Sequence, residues 1–392
     1  MRSKIILLNA FMVLALILSA CAPAAVQTPT EEPPTVEPTK EPTAVPTDVP
    51  TEVPTPTEVP TNTPTPEPTA IVVPEDTLMS FNAETAPVLD GVADDAAWEN
   101  AQPLLIEVGA GANAFEEGVV EIRSVYKDDM VYFVVTWEDP TQSFVRAPWQ
   151  KQEDGTWIKL SDPNDVGGDN NLYYEDKLAI IWPIANSIPG FEQRGCFTAC
   201  HDGENPDVKP FGNKYTEAEG QLGDIWHWKS VRNLGQIDDQ YLDHTQYSPE
   251  TAEAGRHPDP KDGGGYVNNE TEAKDMPAFM PPGGGSKDGA PGYILDSEKV
   301  PFDDSLFVAG DLLSSIIIAS FTGDRGDISA TWQYADGKWT LEFSRKLATG
   351  SEFDVQFDDL TATYYFGLAV FDNAQVRHAY QAGSNDFIFQ QP

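Results

Sequence analysis

Residues 195–201 read Gly-Cys-Phe-Thr-Ala-Cys-His, which places two thiols and an imidazole in one short segment. Two cysteines followed directly by a histidine are the arrangement that bonds a haem covalently through its two vinyl groups and supplies an iron-ligating histidine. The usual spacing is Cys-x-x-Cys-His, whereas three residues separate Cys196 from Cys200 here. We expect the extra residue to form a bulge, because Cys200 and His201 keep the adjacency on which axial ligation depends.

The remaining cysteine, Cys21, follows an N-terminal segment typical of secretion. Residues 1–20 hold two basic residues and then an apolar run from Ile5 to Leu18, which is the pattern of a signal peptide. The tetrapeptide that ends at Cys21 resembles the lipobox of bacterial lipoproteins, in which the cysteine is lipidated. The apolar run is also shorter than the roughly 20 residues that a membrane-spanning helix needs. We therefore predict an extracytoplasmic lipoprotein, anchored to the membrane through Cys21 at the cell surface or the periplasmic face.

Residues 21–74 have a composition that opposes folding. They contain fifteen of the chain's 33 prolines, many of them in Pro-Thr pairs four residues apart. Proline removes backbone donors, and the intervening threonine, glutamate and valine residues give no continuous apolar face, so polyproline II is the expected conformation. We interpret this segment as a disordered, lipid-anchored tether for a domain that begins at residue 75 and runs to residue 392.

The charge of the chain restricts its partners. Its formal net charge is −39, from 63 acidic and 24 basic residues. A nucleic acid must be met by lysine and arginine, so it is excluded as a partner. An acidic surface instead favours a basic partner protein.

The pattern of residues 75–392 predicts an all-β fold, with short strands separated by Gly, Asp, Asn and Pro. Val119–Tyr126 and Met130–Trp137 read as a hairpin that turns at the intervening aspartates, and Asp336-Gly337 is a second hairpin turn. Strands at this spacing favour an antiparallel β-sandwich. The further predicted strands are Leu172–Trp182, Ser314–Phe321, Ile328–Tyr334, Trp339–Arg345, Phe353–Phe357 and Tyr364–Phe371.

Residues 183–305 differ from the rest of this domain. They contain the heptapeptide and two Gly-Gly-Gly runs, and they show little periodicity. A long irregular segment in a compact domain is usually functional or disordered. Since this one carries both thiols, we predict that it is a loop-rich insertion that wraps around a haem.

Several sequence blocks resemble the haem-binding domain of the ethylbenzene dehydrogenase gamma-subunit type, and the likeness covers most of residues 80–390. The early blocks are Leu89–Trp98, Val119–Pro140 and Tyr174–Leu178, and the later ones are Asp224–Lys229, Gly326–Ile328, Trp339–Leu347 and Phe366–Asp372. The resemblance implies a β-sandwich that holds one haem. It further implies either an electron-transfer subunit or a free-standing cytochrome beside molybdenum enzymes of the dimethyl sulfoxide reductase class. The heptapeptide resembles the c-type branch of the family, so the expected cofactor is one covalent haem c.

The resemblance also bears on the second axial ligand. In the gamma subunit a methionine and a lysine hold the iron, and the lysine follows a late strand that Gly367–Asp372 resembles. The iron-binding residue in that neighbourhood here is His378, so the first prediction is ligation by His201 and His378. Met280, which stands beside prolines, is the second candidate. His227 is the third, and on an extended strand it would face away from the tryptophans on either side of it.

Three functions remain open at this stage. The first is a c-type cytochrome that exchanges electrons with a redox partner protein and catalyses no reaction itself. The second is the haem-carrying subunit of a molybdenum oxidoreductase complex. The third is a carbohydrate-binding β-sandwich in which Cys196 and Cys200 form a disulfide and exposed tryptophans bind sugar.

Overall fold

Two layers of antiparallel strands face each other across an aromatic core. The computed structural model describes residues 73–111, 117–165, 172–200, 214–285 and 292–391. The signal segment with Cys21, nearly all of the tether, and His201 lie outside these described residues.

The bounds of the elements follow in chain order. The earlier strands are β1 Thr77–Asn82, β2 Leu104–Gly109, β3 Glu117–Lys127, β4 Met130–Glu138, β5 Trp149–Lys151, β6 Trp157–Lys159, β7 Lys177–Pro183, β8 Gly223–Lys229, β9 Asp238–Leu242 and β10 Arg256–Pro258. The later strands are β11 Gly263–Asn268, β12 Phe279–Met280, β13 Ile294–Leu295, β14 Val300–Pro301, β15 Leu312–Leu313, β16 Ile316–Thr322, β17 Ser329–Ala335, β18 Lys338–Lys346, β19 Tyr364–Phe371, β20 Ala379–Tyr380 and β21 Asn385–Phe389. The two α-helices within the described ranges are single turns, α1 Ala96–Glu99 and α2 Phe191–Arg194. The 3₁₀ turns are Ile184–Asn186, Cys196–Thr198, Asp304–Leu306 and Asp324–Gly326.

The main sheet of the described chain has thirteen strands and curls into the two layers of a β-sandwich. Strands β17, β18, β4, β3 and β2 form one layer, and β10, β9, β8, β7 and β19 form the other. Strand β20 lies between β19 and β2, while β1 and β21 join β3 to β19. Most pairings are antiparallel, and β1 is parallel to both β3 and β21. The predicted all-β, antiparallel sandwich is therefore confirmed.

Aromatic side chains fill the space between the layers. Phe133 of β4 lies 5.6 Å, centroid to centroid, from the ring of Trp226 on β8. Further along both strands, Trp137 of β4 lies 5.7 Å from Trp228 of β8. Both contacts are edge-to-face, which is a favoured geometry for aromatic pairs. All four rings are fully buried, so they fix β8 against the opposite layer.

The sequence predicted most of these strands. The hairpin of β3 and β4 forms with Asp128 at positive φ, and Asp336-Gly337 turns between β17 and β18 with both residues at positive φ. The β16 and β19 predictions also match strands, whereas β7 begins at Lys177, five residues after the predicted start at Leu172. Strands β8 and β9 lie within residues 183–305, so part of the predicted loop-rich insertion belongs to the framework of the sheet.

The predicted strand Phe353–Phe357 is wrong. Val355 and Phe357 are buried as an alternating pattern requires, but this segment pairs with no strand of the described chain. The backbone N–H of Val355 donates instead to the Asp224 carboxylate, at 2.9 Å. A side chain thus replaces the ladder bond that a neighbouring strand would supply.

No helix in the described ranges is long and apolar enough to cross a membrane.

A buried carboxylate ties the N-terminal loop of the domain to β18. The Glu342 side chain accepts hydrogen bonds from the backbone N–H groups of Asp90 and Gly91, at 3.1 and 2.7 Å. It also accepts one from the Trp98 indole, at 3.0 Å. Gly91 has φ +85°, and a Cβ there would lie 2.9 Å from the backbone of Trp332, so only glycine fits this approach.

We predict that Glu342→Ala lowers the free energy of unfolding by about 3 kcal/mol, because it leaves two buried donors, on Gly91 and Trp98, and the part-buried N–H of Asp90 without an acceptor. Urea denaturation of the two proteins measures this difference. The matched control is Glu107→Ala, which removes an exposed carboxylate from β2. Equal losses for both variants would show that the Glu342 network contributes nothing specific.

Candidate functional site

One cavity, of about 280 Å³, lies on the outer face of the layer that contains β9, β8, β7 and β19. In a strand, successive side chains point to opposite faces of the sheet. Leu178, Trp226 and Leu368 therefore point into the aromatic core, and their neighbours along each strand point into the cavity. The residues that β7, β8 and β19 contribute to the cavity are Lys177, Ala179, Ile181, Ile225, His227, Lys229, Gly367, Ala369 and Phe371.

Both cysteines of the heptapeptide line this cavity. Cys196–Thr198 form a 3₁₀ turn. Cys196 is buried, Cys200 is half-buried, and both are free thiols in the structure. The turn is held in place where Gly195, with φ +54°, bridges to Gly383 in the C-terminal segment.

Glycines allow the cysteine turn to pack this closely on the sheet. A Cβ at Gly367 of β19 would lie 2.7 Å from the Cys196 Sγ. A Cβ at Gly195 would lie 1.9 Å from the carbonyl oxygen of Gly383. Real Cβ contacts are not this short, so larger residues at either position would move the thiol away from the sheet.

The environment of the two thiols does not favour nucleophilic chemistry. Burial raises the pKa of Cys196 well above its usual value, and it raises the pKa of Cys200 to about 11. A nucleophilic cysteine needs a lowered pKa because the thiolate is the reactive form. Both side chains are therefore protonated at neutral pH.

His227 is the most buried imidazole at the cavity, with 5 % of its surface exposed. Its Nε2 is buried and has no hydrogen-bond partner among the described residues. The ring stacks on Phe371, 5.8 Å away, and it faces the cavity while its two tryptophan neighbours face the core, as the sequence predicts. Burial, followed by repulsion from Lys229, lowers the pKa of His227 well below its usual value. The imidazole is therefore neutral, which is the form that binds metals.

His378 reaches the same cavity from the segment that follows β19. Its Nδ1 lies 2.9 Å from the carbonyl oxygen of Val376. Because a carbonyl only accepts hydrogen bonds, we assign the proton to Nδ1, which places the lone pair of the neutral ring on Nε2. A backbone carbonyl that orients an imidazole in this way is a common support for metal-binding histidines. The ring centroid lies 4.8 Å from that of Phe371, so the two histidines contact the same phenyl group.

Basic side chains surround the rest of the cavity. Six of the chain's 24 lysine and arginine residues line it, and Glu253 is the single acidic residue among the described residues that do so. The six are Arg146, Lys177, Lys214, Lys229, Arg232 and Arg256. In a chain with 63 acidic residues, this cavity is a local concentration of positive charge.

Two of these cations have buried counter-charges and one does not. Arg232 pairs with Glu175, and Lys229 pairs with Asp238. Lys177 is 2 % exposed and donates to the Gln375 carbonyl oxygen at 2.9 Å, and it forms no ion pair with a residue that the structure describes. Burial, reinforced by repulsion from Arg232, lowers the pKa of Lys177 well below its usual value. An anionic group in the cavity would therefore stabilise the charged form of this amine.

The structure brings together some of the predicted site residues and leaves others apart. Cys196, Cys200, His227 and His378 line one cavity. Met280 does not: it is buried on β12 in a second hydrophobic cluster with Trp149, Trp157 and Phe307 among others. His201 lies outside the described residues, directly after Cys200.

The cationic lining of the cavity was not predicted from the sequence. The period-two alternation along β7 and β8 could have indicated it, because Lys177 lies on the same face of the sheet as Ala179, and Lys229 on the same face as His227. Arg146 and Arg256, in contrast, reach the cavity from distant segments and carry no local signal.

The fold is an all-β domain with a cavity lined by thiols, imidazoles and cations. The family model described as ethylbenzene dehydrogenase matches residues 95–383. The chain belongs to this family, and the resemblance inferred from the sequence blocks is confirmed.

Other comparisons give weaker likenesses. A family 9 carbohydrate-binding module from Caldicellulosiruptor kristjanssonii, solved with cellotriose, is 8 % identical, with 81 % of this chain and 94 % of that chain covered and a TM-score of 0.31. A protein from Bacteroides uniformis, described as a proposed carbohydrate-binding protein, is 9 % identical, with 80 % and 98 % covered and a TM-score of 0.32. No curated protein matches the chain.

We predict that Gly367→Ala lowers the free energy of unfolding by about 1–3 kcal/mol, because the new methyl group overlaps the Cys196 sulfur in a packed region. Urea denaturation measures the loss. Gly263→Ala on β11 is the control, since its nearest neighbour is the Thr322 hydroxyl at 3.3 Å. If Gly367→Ala is no more destabilising than the control, the cysteine turn does not pack on β19 as described.

Proposed function

We propose that this chain is a c-type cytochrome lipoprotein that carries one covalently attached haem for electron transfer outside the cytoplasm. The observation that carries the proposal is the convergence of both heptapeptide cysteines and two histidines on one cavity. The cysteines and the histidines come from segments far apart in sequence, so only the fold unites them. The haem, when bound, supplies the one-electron chemistry, and the protein sets its potential and access.

The cavity offers the groups that a haem needs. Cys196 and Cys200 would form the two thioether bonds. The propionate groups of a haem are carboxylates, and buried cations such as Lys177 and Arg232 suit them because a charged hydrogen bond is strong in a dry site. Phe371 and Ile225 supply apolar contact for the macrocycle.

We propose His201 and His378 as the axial ligands. Cys200 lies at the cavity wall, and His201 follows it directly. His378 is favoured as the second ligand because its Nδ1 is engaged by the Val376 carbonyl, which orients Nε2. His227 is the alternative, because its Nε2 is buried at the cavity and has no hydrogen-bond partner among the described residues. Met280 is not proposed, since it packs in a different cluster.

The protein is proposed to act by electron transfer and to catalyse no reaction by itself. Membership of the ethylbenzene dehydrogenase family supports a role in an oxidoreductase complex, so a molybdenum enzyme is one candidate partner. The acidic chain makes a basic redox protein another. A lipid on Cys21 would hold it at the membrane. Co-purification with a molybdenum protein from the native cells would assign it as a subunit rather than a free-standing carrier.

Burial of the tryptophans weighs against the carbohydrate-binding alternative. Eight of the nine tryptophans are buried, and the ninth, Trp332, is partly buried against the aromatic core. A sugar-binding platform needs an exposed aromatic face. The tryptophans of this chain therefore offer none, and the cationic cavity favours an anionic ligand over a neutral sugar.

The attachment is tested with protein matured in a host that makes haem c. We expect a pyridine haemochrome spectrum of haem c and a pigment that stays with the polypeptide after acid-acetone extraction. The double variant Cys196→Ala, Cys200→Ala should lose covalent attachment completely. The control Trp332→Phe, which is away from the cavity, should retain it. A colourless wild-type protein from this host would overturn the proposal.

The axial ligand is tested by optical and paramagnetic resonance spectra of the loaded protein. We expect His378→Ala to convert the low-spin haem to a high-spin form, while His227→Ala and the control Met280→Leu leave it low-spin. A second imidazole also gives a lower potential than a thioether ligand. A low-spin spectrum in His378→Ala together with a high-spin spectrum in His227→Ala would transfer the assignment to His227.

A further inference from the structure

A second group of titratable side chains lies on the opposite face of β8 and β9 from the cavity. The carboxylates of Asp224, Asp239 and Asp354 converge there, with ligand oxygens that all lie within 4.8 Å of one another. All three residues have no exposed surface. The carboxylates of Asp259 and Asp327 add to the same electrostatic cluster.

The carboxylates of this cluster are not satisfied by the protein. Asp224, Asp239 and Asp354 each have one buried oxygen that accepts no hydrogen bond from the described residues. Neither carboxylate oxygen of Asp259, which is 2 % exposed, accepts one. A buried polar atom without a partner costs roughly 1–3 kcal/mol, and more if it is charged. Four such carboxylates in one place therefore point to a missing partner.

The negative charge of the cluster is only partly compensated by the described residues. Arg345 is the basic residue that contacts it, with its guanidinium 3.0 Å from Asp224 and 3.9 Å from Asp354. Burial raises the pKa of Asp239 well above its usual value, and repulsion from Asp224 and Asp259 adds to this shift. Like charges this close cannot all ionise unless a cation or protons neutralise them.

We propose that Asp224, Asp239, Asp259 and Asp354 bind one Ca²⁺ ion. Calcium takes six to eight oxygen ligands at about 2.3–2.6 Å, so two ligands on opposite sides of the ion are about 4.6–5.2 Å apart. The oxygens of Asp224, Asp239 and Asp354 lie within 4.8 Å of one another, which agrees with this spacing. The set consists only of oxygen donors, which selects a hard cation. Magnesium retains several waters, whereas calcium accepts many direct carboxylate ligands.

The ion would hold together the layer that carries the cavity. Asp224 lies on β8, Asp239 on β9 and Asp259 just after β10, while Asp354 belongs to the coil segment that packs beneath them. Calcium would therefore join three strands and this segment. The proposed calcium site lies on the face of the layer away from the cysteines, so calcium binding does not depend on a haem.

The test uses the full-length protein, with and without its pigment, and removes metal with a chelator before calcium is added back. We expect one calcium per chain by elemental analysis after this addition. The melting temperature should be about 5 °C higher than that of the chelated protein when free Ca²⁺ is a hundred times its dissociation constant. Terbium should replace calcium and luminesce through energy transfer from Trp226, whose ring contacts Arg345 beside the site.

The matched variants separate this cluster from another buried acidic group. Asp239→Asn should weaken calcium binding at least tenfold. Asp139→Asn removes a charge from the group that Asp139 forms with Asp176 and Asp372, and it should leave the affinity unchanged. A wild-type protein that binds no calcium or terbium and melts at the same temperature with and without chelator would show that protons alone neutralise the cluster. Loss of binding in Asp139→Asn rather than Asp239→Asn would place the ion elsewhere.

Discussion

The alternation of side chains along β7, β8 and β19 is the constraint on which the rest of the structure depends. Each strand alternates between large side chains that point into the core and side chains that line the cavity. Trp226 and Trp228 fix the register of β8 because they interlock with Phe133 and Trp137 of the opposite layer. A slip of one residue would place indoles in the cavity and His227 in the core.

The electrostatics of the domain follow from this arrangement. An acidic chain gathers lysine and arginine at the cavity and balances them with carboxylates such as Glu175 and Asp238 beneath its wall. Cations held at low dielectric attract an anionic ligand more strongly than surface cations do. The opposite face of the same strands carries an excess of buried carboxylate. Positive and negative charge are thus separated across one sheet.

Much of the fold was predictable from local pattern, and less of the site was. Hairpins such as β3–β4 and the outward orientation of His227 follow from period-two alternation and turn residues. The same pattern failed at Phe353–Phe357, because the side chain of Asp224, 131 residues away, takes the place of a partner strand. Cys196 and Cys200 could be chosen as candidate site residues from the sequence because they lie close together and a histidine directly follows Cys200. The separation of Met280 from the cavity depends on tertiary packing, which no local sequence signal carries.

Locating the iron in crystals of the pigmented protein tests the proposed haem site most directly. An anomalous difference map recorded at the iron absorption edge should show one peak per chain in the cavity between the heptapeptide turn and β19, with continuous density from the porphyrin to both sulfur atoms. A map with no iron peak in that cavity, or with the peak bound at another surface of the sandwich, would contradict the account.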